Sequence, residues 1–83
     1  MQSMTQHVTH ASGLELGKRI REARGDANLT LSQVARALGV DVRTVARWQS
    51  DDSRPSYERL VAFAALVGKP PSWFLEDKEA AVA

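Results

Sequence analysis

The sequence predicts an all-α domain, and three observations carry that prediction. Apolar residues recur at three- and four-residue spacing from Leu16 to Leu75. Short polar runs with good helix caps, and Gly or Pro, separate the periodic stretches. No stretch shows the strict alternation expected of a half-buried strand. With 83 residues, the chain suits one domain with one small core.

The elements follow in order. Residues 1–11, MQSMTQHVTHA, are polar, lack periodicity and read as a flexible N-terminal tail. The domain proper is expected over residues 12–77, with 78–83 as a frayed C-terminal tail. Ser12 is placed to cap a first helix, with Glu15 completing a capping box. Leu16, Ile20, Ala23 and Ala27 form its apolar side, Lys18, Arg19, Arg21 and Glu22 its wet side, and Asn28 its stop. Thr30 and Gln33 form a second capping box, and that helix runs to Leu38 and breaks at Gly39. Asp41 caps a third helix ending near Ser50. The turn-rich segment DDSRPS follows, with Pro55 placed to open a long apolar fourth helix containing Leu60, Val61, Phe63, Ala64, Leu66 and Val67. Gly68 closes it. Pro70 and Pro71 start a short fifth helix whose Trp73, Phe74 and Leu75 should close the core.

Composition narrows the function. There is no cysteine, which excludes disulfides and thiolate metal sites. No apolar run approaches the ~18 residues that cross a bilayer, and the N-terminus lacks the order of a signal peptide. A cytoplasmic protein is the default expectation. Net charge is +1, too small for a non-specific nucleic-acid coat. Between Lys18 and Arg54, however, eight basic residues face five acidic ones. His7 and His10 have a helical metal-binding spacing but no third ligand. Glycine-rich phosphate loops and recognisable nucleophile–base pairs are also missing, so neither an enzyme nor a cofactor is expected.

Residues 31–50, LSQVARALGVDVRTVARWQS, speak most directly about function. Two short helices here put Val34, Ala35, Leu38, Val40, Val45 and Trp48 on one inner face. Gly39 lies where a tight turn needs positive φ. Ala35 lies where the helices cross most closely. Arg43, Thr44 and Arg47 are directed away from that core. A rigid helix pair presenting arginines outward is suited to reading DNA. Trp48 and Trp73 fall at core positions, which accounts for them without a stacked ligand.

The order of LGKRIREAR, LTLSQVARALGV, RTVARW, RPSYERLVAFAALVG and SWFLE resembles the Cro and phage-repressor type of helix-turn-helix domain, the XRE-like family. The likeness covers roughly residues 14–76. It implies a compact five-helix, lambda-repressor-like fold whose helix 41–50 enters the major groove of double-stranded DNA. On that reading Val42, Arg43, Ala46 and Arg47 contact base edges, and Thr30, Ser32, Thr44 and Arg54 contact phosphates. It also implies a homodimer on a pseudo-palindromic operator, acting as a transcriptional regulator and repressor of phage or bacterial type.

Four positions depart from the family pattern. Leu31 replaces a phosphate-touching Gln. Gln49 replaces a Glu that pairs with an Arg of the first helix, which leaves Arg24 a neutral partner. Asp51 and Asp52 replace Gly with basic residues, and their exchange for Asn is expected to tighten binding at low salt. Val42 offers only apolar contact. Leu31, Asp51 and Asp52 support an alternative, a protein-interaction module or antitoxin on the same scaffold with weak or no DNA affinity.

Overall fold

Five helices follow one another along the chain: α1 (Leu16–Asp26), α2 (Leu31–Leu38), α3 (Val42–Gln49), α4 (Tyr57–Val67) and α5 (Pro71–Leu75). The structure, a computed structural model, describes residues 15–76, and no strand occurs among them. The expected tails, Ser12, His7 and His10 lie outside the described residues. The all-α, five-helix expectation is met. α2 packs on α3 and α4, while α1 packs on α3, α4 and α5.

Periodicity explains the core. Leu16, Ile20 and Ala23 line one side of α1 and meet Val34 and Ala35 of α2 and Val45 and Trp48 of α3. Leu60, Phe63 and Ala64 of α4 and Phe74 of α5 close the far side. Phe74 sets its ring edge-on against Phe63 at 5.6 Å and against Trp73 at 5.0 Å, a favoured aromatic geometry. Trp73 is only half-buried, and Lys69 Nζ lies 4.5 Å from its ring centroid. Leu75, expected in the core, is 37% exposed. α5 is little more than one turn, so it turns Phe74 fully inward and leaves Leu75 on its outer side.

Helix ends follow a common rule. After α1 to α4 the chain takes one left-handed residue, respectively Asn28, Gly39, Asp51 and Gly68. The next amide then reaches back to a carbonyl in the last turn: Leu29 to Arg24, Val40 to Ala35, Asp52 to Arg47, Lys69 to Ala64. This satisfies carbonyls that a helix end leaves unpaired. Asn28 and Asp51 are the two members that carry a side chain, and an L-residue with a side chain resists positive φ more than glycine does.

The starts are more varied. Thr30 and Gln33 form the expected reciprocal box, at 2.8 and 3.0 Å, and Asp41 caps α3. At α4 the cap is Ser56, which accepts from Arg59 N at 3.2 Å. Pro55 stands before it, because the Ser hydroxyl supplies the acceptor that Pro lacks. Glu15 does not occupy the third helical position of a capping box; it immediately precedes α1 with φ 47°.

Arg19 overturns another expectation. It is 6% exposed rather than wet, and its Nη1 donates to the carbonyls of Phe74 and Glu76. The arginine lies three residues after Leu16 and four before Ala23, the spacing of the buried side. Its guanidinium meets two carbonyls at the end of α5, where the helix dipole favours a cation.

Candidate nucleic-acid interface

α3 is amphipathic in a way that separates support from display. Val45 and Trp48 are buried, whereas Val42, Arg43, Ala46 and Arg47 are all exposed. At 100° per residue those four fall on one continuous side of the helix. Thr44 does not belong to that side. It is half-buried at the flank, because it follows Arg47 around the helix toward Trp48.

The display is held in place from behind. Gly17 of α1 lies so close to α3 that a Cβ built on it would stand 2.4 Å from the Gln49 carbonyl oxygen and 2.8 Å from that of Trp48. Only a residue without a side chain permits this approach. Beside the crossing, Arg24 Nε donates to Gln49 Oε1 at 2.7 Å, the neutral partnership expected for that pair. Arg24 Nη1 also donates to the Leu29 carbonyl at 2.7 Å, tying the α1–α2 turn to the same arginine. Asp51 Oδ1 accepts from Gly17 N at 3.0 Å. A carboxylate from the loop after α3 thus caps the start of α1, offsetting the discomfort of its left-handed backbone. These three contacts fix α3 relative to α1 from within 34 residues of chain.

The N-terminus of α2 lies beside this frame. Thr30, Leu31, Ser32 and Val42 share an open groove with Arg24, Asn28 and Leu29. The capping box occupies the amides of Thr30 and Gln33, leaving those of Leu31 and Ser32 without an intrachain acceptor among the described residues. Leu31 packs partly against the core, so its side chain supports the groove with apolar contact and offers no polar group to it.

Two arginines make contacts beyond the helix caps themselves. Asp41 Oδ1 accepts the Arg43 amide at 2.8 Å, as a cap should, but it also faces Arg43 Nε at 3.3 Å. The side-chain hydrogen bond from Arg43, its amide and its charge hold the Asp41 carboxyl below the ordinary aspartate range, with a smaller contribution from Arg47. The same carboxylate raises Arg43 further. In α4, Arg59 Nη1 donates to the Leu38 carbonyl at 3.2 Å, closing the end of α2. Asp52 Oδ2 accepts from Ser50 Oγ at 3.0 Å, and Arg54 is exposed in the same loop.

The structure therefore gathers Val42, Arg43, Ala46 and Arg47 on one exposed side and places Thr30 and Ser32 at the neighbouring helix start. Thr44 lies at the flank and Arg54 in the loop beyond α3. Among the described residues no His, Cys, Asp and Glu cluster suits a metal ion, and no helix is long and apolar enough to cross a membrane.

Residues 20–74 match the family described as helix-turn-helix. The HTH-type transcriptional regulator DicA of Escherichia coli (strain K12) is 33% identical over 69 residues, an overlap covering 80% of this chain and 51% of that protein. The chain thus spans about half the length of this curated relative. No solved structure is a significant match. The family match takes in all of α2, α3 and α4, the helices that build the exposed side just described, and the chain belongs to the XRE-type helix-turn-helix family.

Proposed function

We propose that the chain is a sequence-specific, double-stranded DNA-binding transcriptional regulator, with α3 seated in the major groove. The observation that carries this reading is the continuous exposed side Val42–Arg43–Ala46–Arg47, locked to α1 by the Gly17 crossing and the Arg24–Gln49 bond. A helix that is to read base edges must be rigid, and this one is held against α1 at its C-terminal end and capped by Asp41 at its start.

In the groove, the planar fork of arginine matches the N7 and O6 acceptors of guanine. Arg43 is the first candidate to read guanine, and Arg47 is the second. Val42 and Ala46 offer apolar contact to a thymine methyl. The free amides of Leu31 and Ser32, with the Thr30 and Ser32 hydroxyls, suit a phosphate at the start of α2. Thr44 and Arg54 extend that contact along the backbone. One domain reads few base pairs, so a homodimer on a two-fold operator supplies the specificity, as is common for this architecture. Repression is the mode of regulation such occupancy most directly produces.

The carboxylates that weigh toward a protein-interaction module have structural employment. Asp51 caps α1 and Asp52 accepts from Ser50, so their presence does not require a loss of DNA binding.

The test is an amide NMR titration with a short mixed-sequence duplex at low ionic strength. The proposal expects the largest shifts at residues 30–32 and 42–47. Shifts confined to α4 and α5, or none, would contradict it.

A further inference from the structure

The Asp41–Arg43 pair joins two functions in one carboxylate. Oδ1 accepts the Arg43 amide at 2.8 Å and also faces Arg43 Nε at 3.3 Å, while Oδ2 faces Nη2 at 3.5 Å. The guanidinium therefore turns its Nε–Nη2 edge to the carboxylate. A guanidinium has five N–H groups in a rigid fork. Turning one edge to Asp41 leaves the Nη1 hydrogens and the second Nη2 hydrogen directed away from it. Those are sufficient to meet N7 and O6 of one guanine together.

As a stabilising contact the pair has little value. The Arg43 and Asp41 side chains are 81% and 54% exposed, and exposed ion pairs contribute little to folding. Its consequence is orientational. A free arginine at this position samples many rotamers and can turn to a phosphate as readily as to a base. An arginine held by its own helix cap is restricted in direction.

We propose that Asp41 is a positioning residue for base readout, holding the Arg43 guanidinium by one edge so that the other meets guanine and not phosphate. This rests on the reading of α3 as the groove helix. It converts Arg43 from a general source of affinity into a source of discrimination. Asp41 itself need not touch DNA.

Asp41→Asn and Asp41→Ser separate this role from capping, because Asn and Ser both cap helices well. The probes are the duplex selected by the wild-type protein and its three variants with the guanine opposite Arg43 replaced. Wild type should prefer guanine by roughly 5- to 150-fold, the range of one good bidentate contact. Both variants should fold, lose most of that preference, and bind the replaced duplexes more tightly. Their affinity should also fall more steeply with salt, by up to about one additional phosphate contact. In the free protein, the Arg43 Nε–H NMR signal should be protected from exchange in wild type and exposed in both variants.

Unchanged guanine preference in the two variants overturns the proposal, as does equal Nε–H exchange in all three proteins. A uniform gain of affinity on every duplex, with preference intact, would make Asp41 a repulsive charge only and also overturns it. Wild-type protein that selects no sequence refutes the groove reading itself, a result distinguishable from failure of the Asp41 role alone.

Discussion

Replacing Gly17 and Gly25 of α1 separately by alanine should change stability in opposite directions. Both glycines lie inside the same helix, where alanine is intrinsically preferred by up to ~1 kcal/mol. Around Gly25 nothing lies within 4 Å of a built Cβ, so Gly25→Ala should realise most of that gain. Around Gly17 the new methyl would stand 2.4 Å from a backbone oxygen of α3. Ordinary contact needs ~1 Å more, and neither helix can yield by a rotamer change. Overpacking of this kind costs ~1–3 kcal/mol. Parting the helices also stretches the Asp51–Gly17 cap, 3.0 Å long, for ~0.5–2 kcal/mol more. After the helix-propensity gain, Gly17→Ala should lose ~2 kcal/mol. At ~4–8 °C per kcal/mol for a domain of this size, its Tm falls by ~8–16 °C, while that of Gly25→Ala rises by a few degrees. Far-UV circular dichroism melts of the three proteins measure this directly. A Gly17→Ala protein as stable as wild type would show that α1 and α3 do not cross as closely as described.

Arg19→Met keeps the apolar stem but strands the Phe74 and Glu76 carbonyls. It should lose ~2 kcal/mol, since hydrogen bonds from charged groups contribute ~1.5–3, and hydrogen exchange should show α5 opening first; unchanged protection at residues 73–75 would contradict the lock. Asp51→Ala should cost ~1–2 kcal/mol by removing the α1 cap, and Asp51→Asn should recover most of it, both read from urea unfolding. Asp52→Asn should leave stability within ~0.5 kcal/mol and tighten DNA binding at low salt. Arg43→Ala should relax base preference, whereas Arg54→Ala should weaken binding evenly across duplexes; competition titrations against scrambled DNA separate the two. Because its pKa is lowered in the fold, Asp41 contributes stability above the ordinary aspartate range and loses it as pH falls through its own lower value. An NMR pH titration should therefore find Asp41 protonating below that range, with Arg43 Nε–H exchange rising in step.

The parts legible in the sequence were those set by neighbours along the chain. Thr30, Gln33, Asp41, Gly39 and Gly68 announce helix ends through chemistry that acts over a few residues. On α3, periodicity sets Arg43 and Arg47 outward, but it sets Thr44 outward too, and Thr44 is half-buried at the flank. What escaped depended on segments distant in sequence. Arg19 is buried only because α5, 55 residues later, lies across it. Its spacing from Leu16 and Ala23 carried the signal, but its charge masked it. Asp51 looked like a carboxylate misplaced beside a phosphate, and its partner is an amide 34 residues earlier. Gly17 carries no local signature of a close crossing, because α3, the helix it meets, lies far along the chain. Leu75 is hard to place for another reason: a five-residue helix is too short for its pattern to reveal which side faces inward. Periodicity finds the centre of a buried face; the number of elements packed against it determines the width.

Selection from a random duplex pool at near-physiological salt, followed by titration of the winner against scrambled DNA, decides whether α3 reads sequence. The enriched motif should carry guanine at a fixed place, repeated two-fold about one helical turn apart, with a preference for it that Arg43→Ala removes. No enrichment, with weak and salt-sensitive binding to every duplex, would contradict the claim that the exposed side of α3 reads DNA sequence.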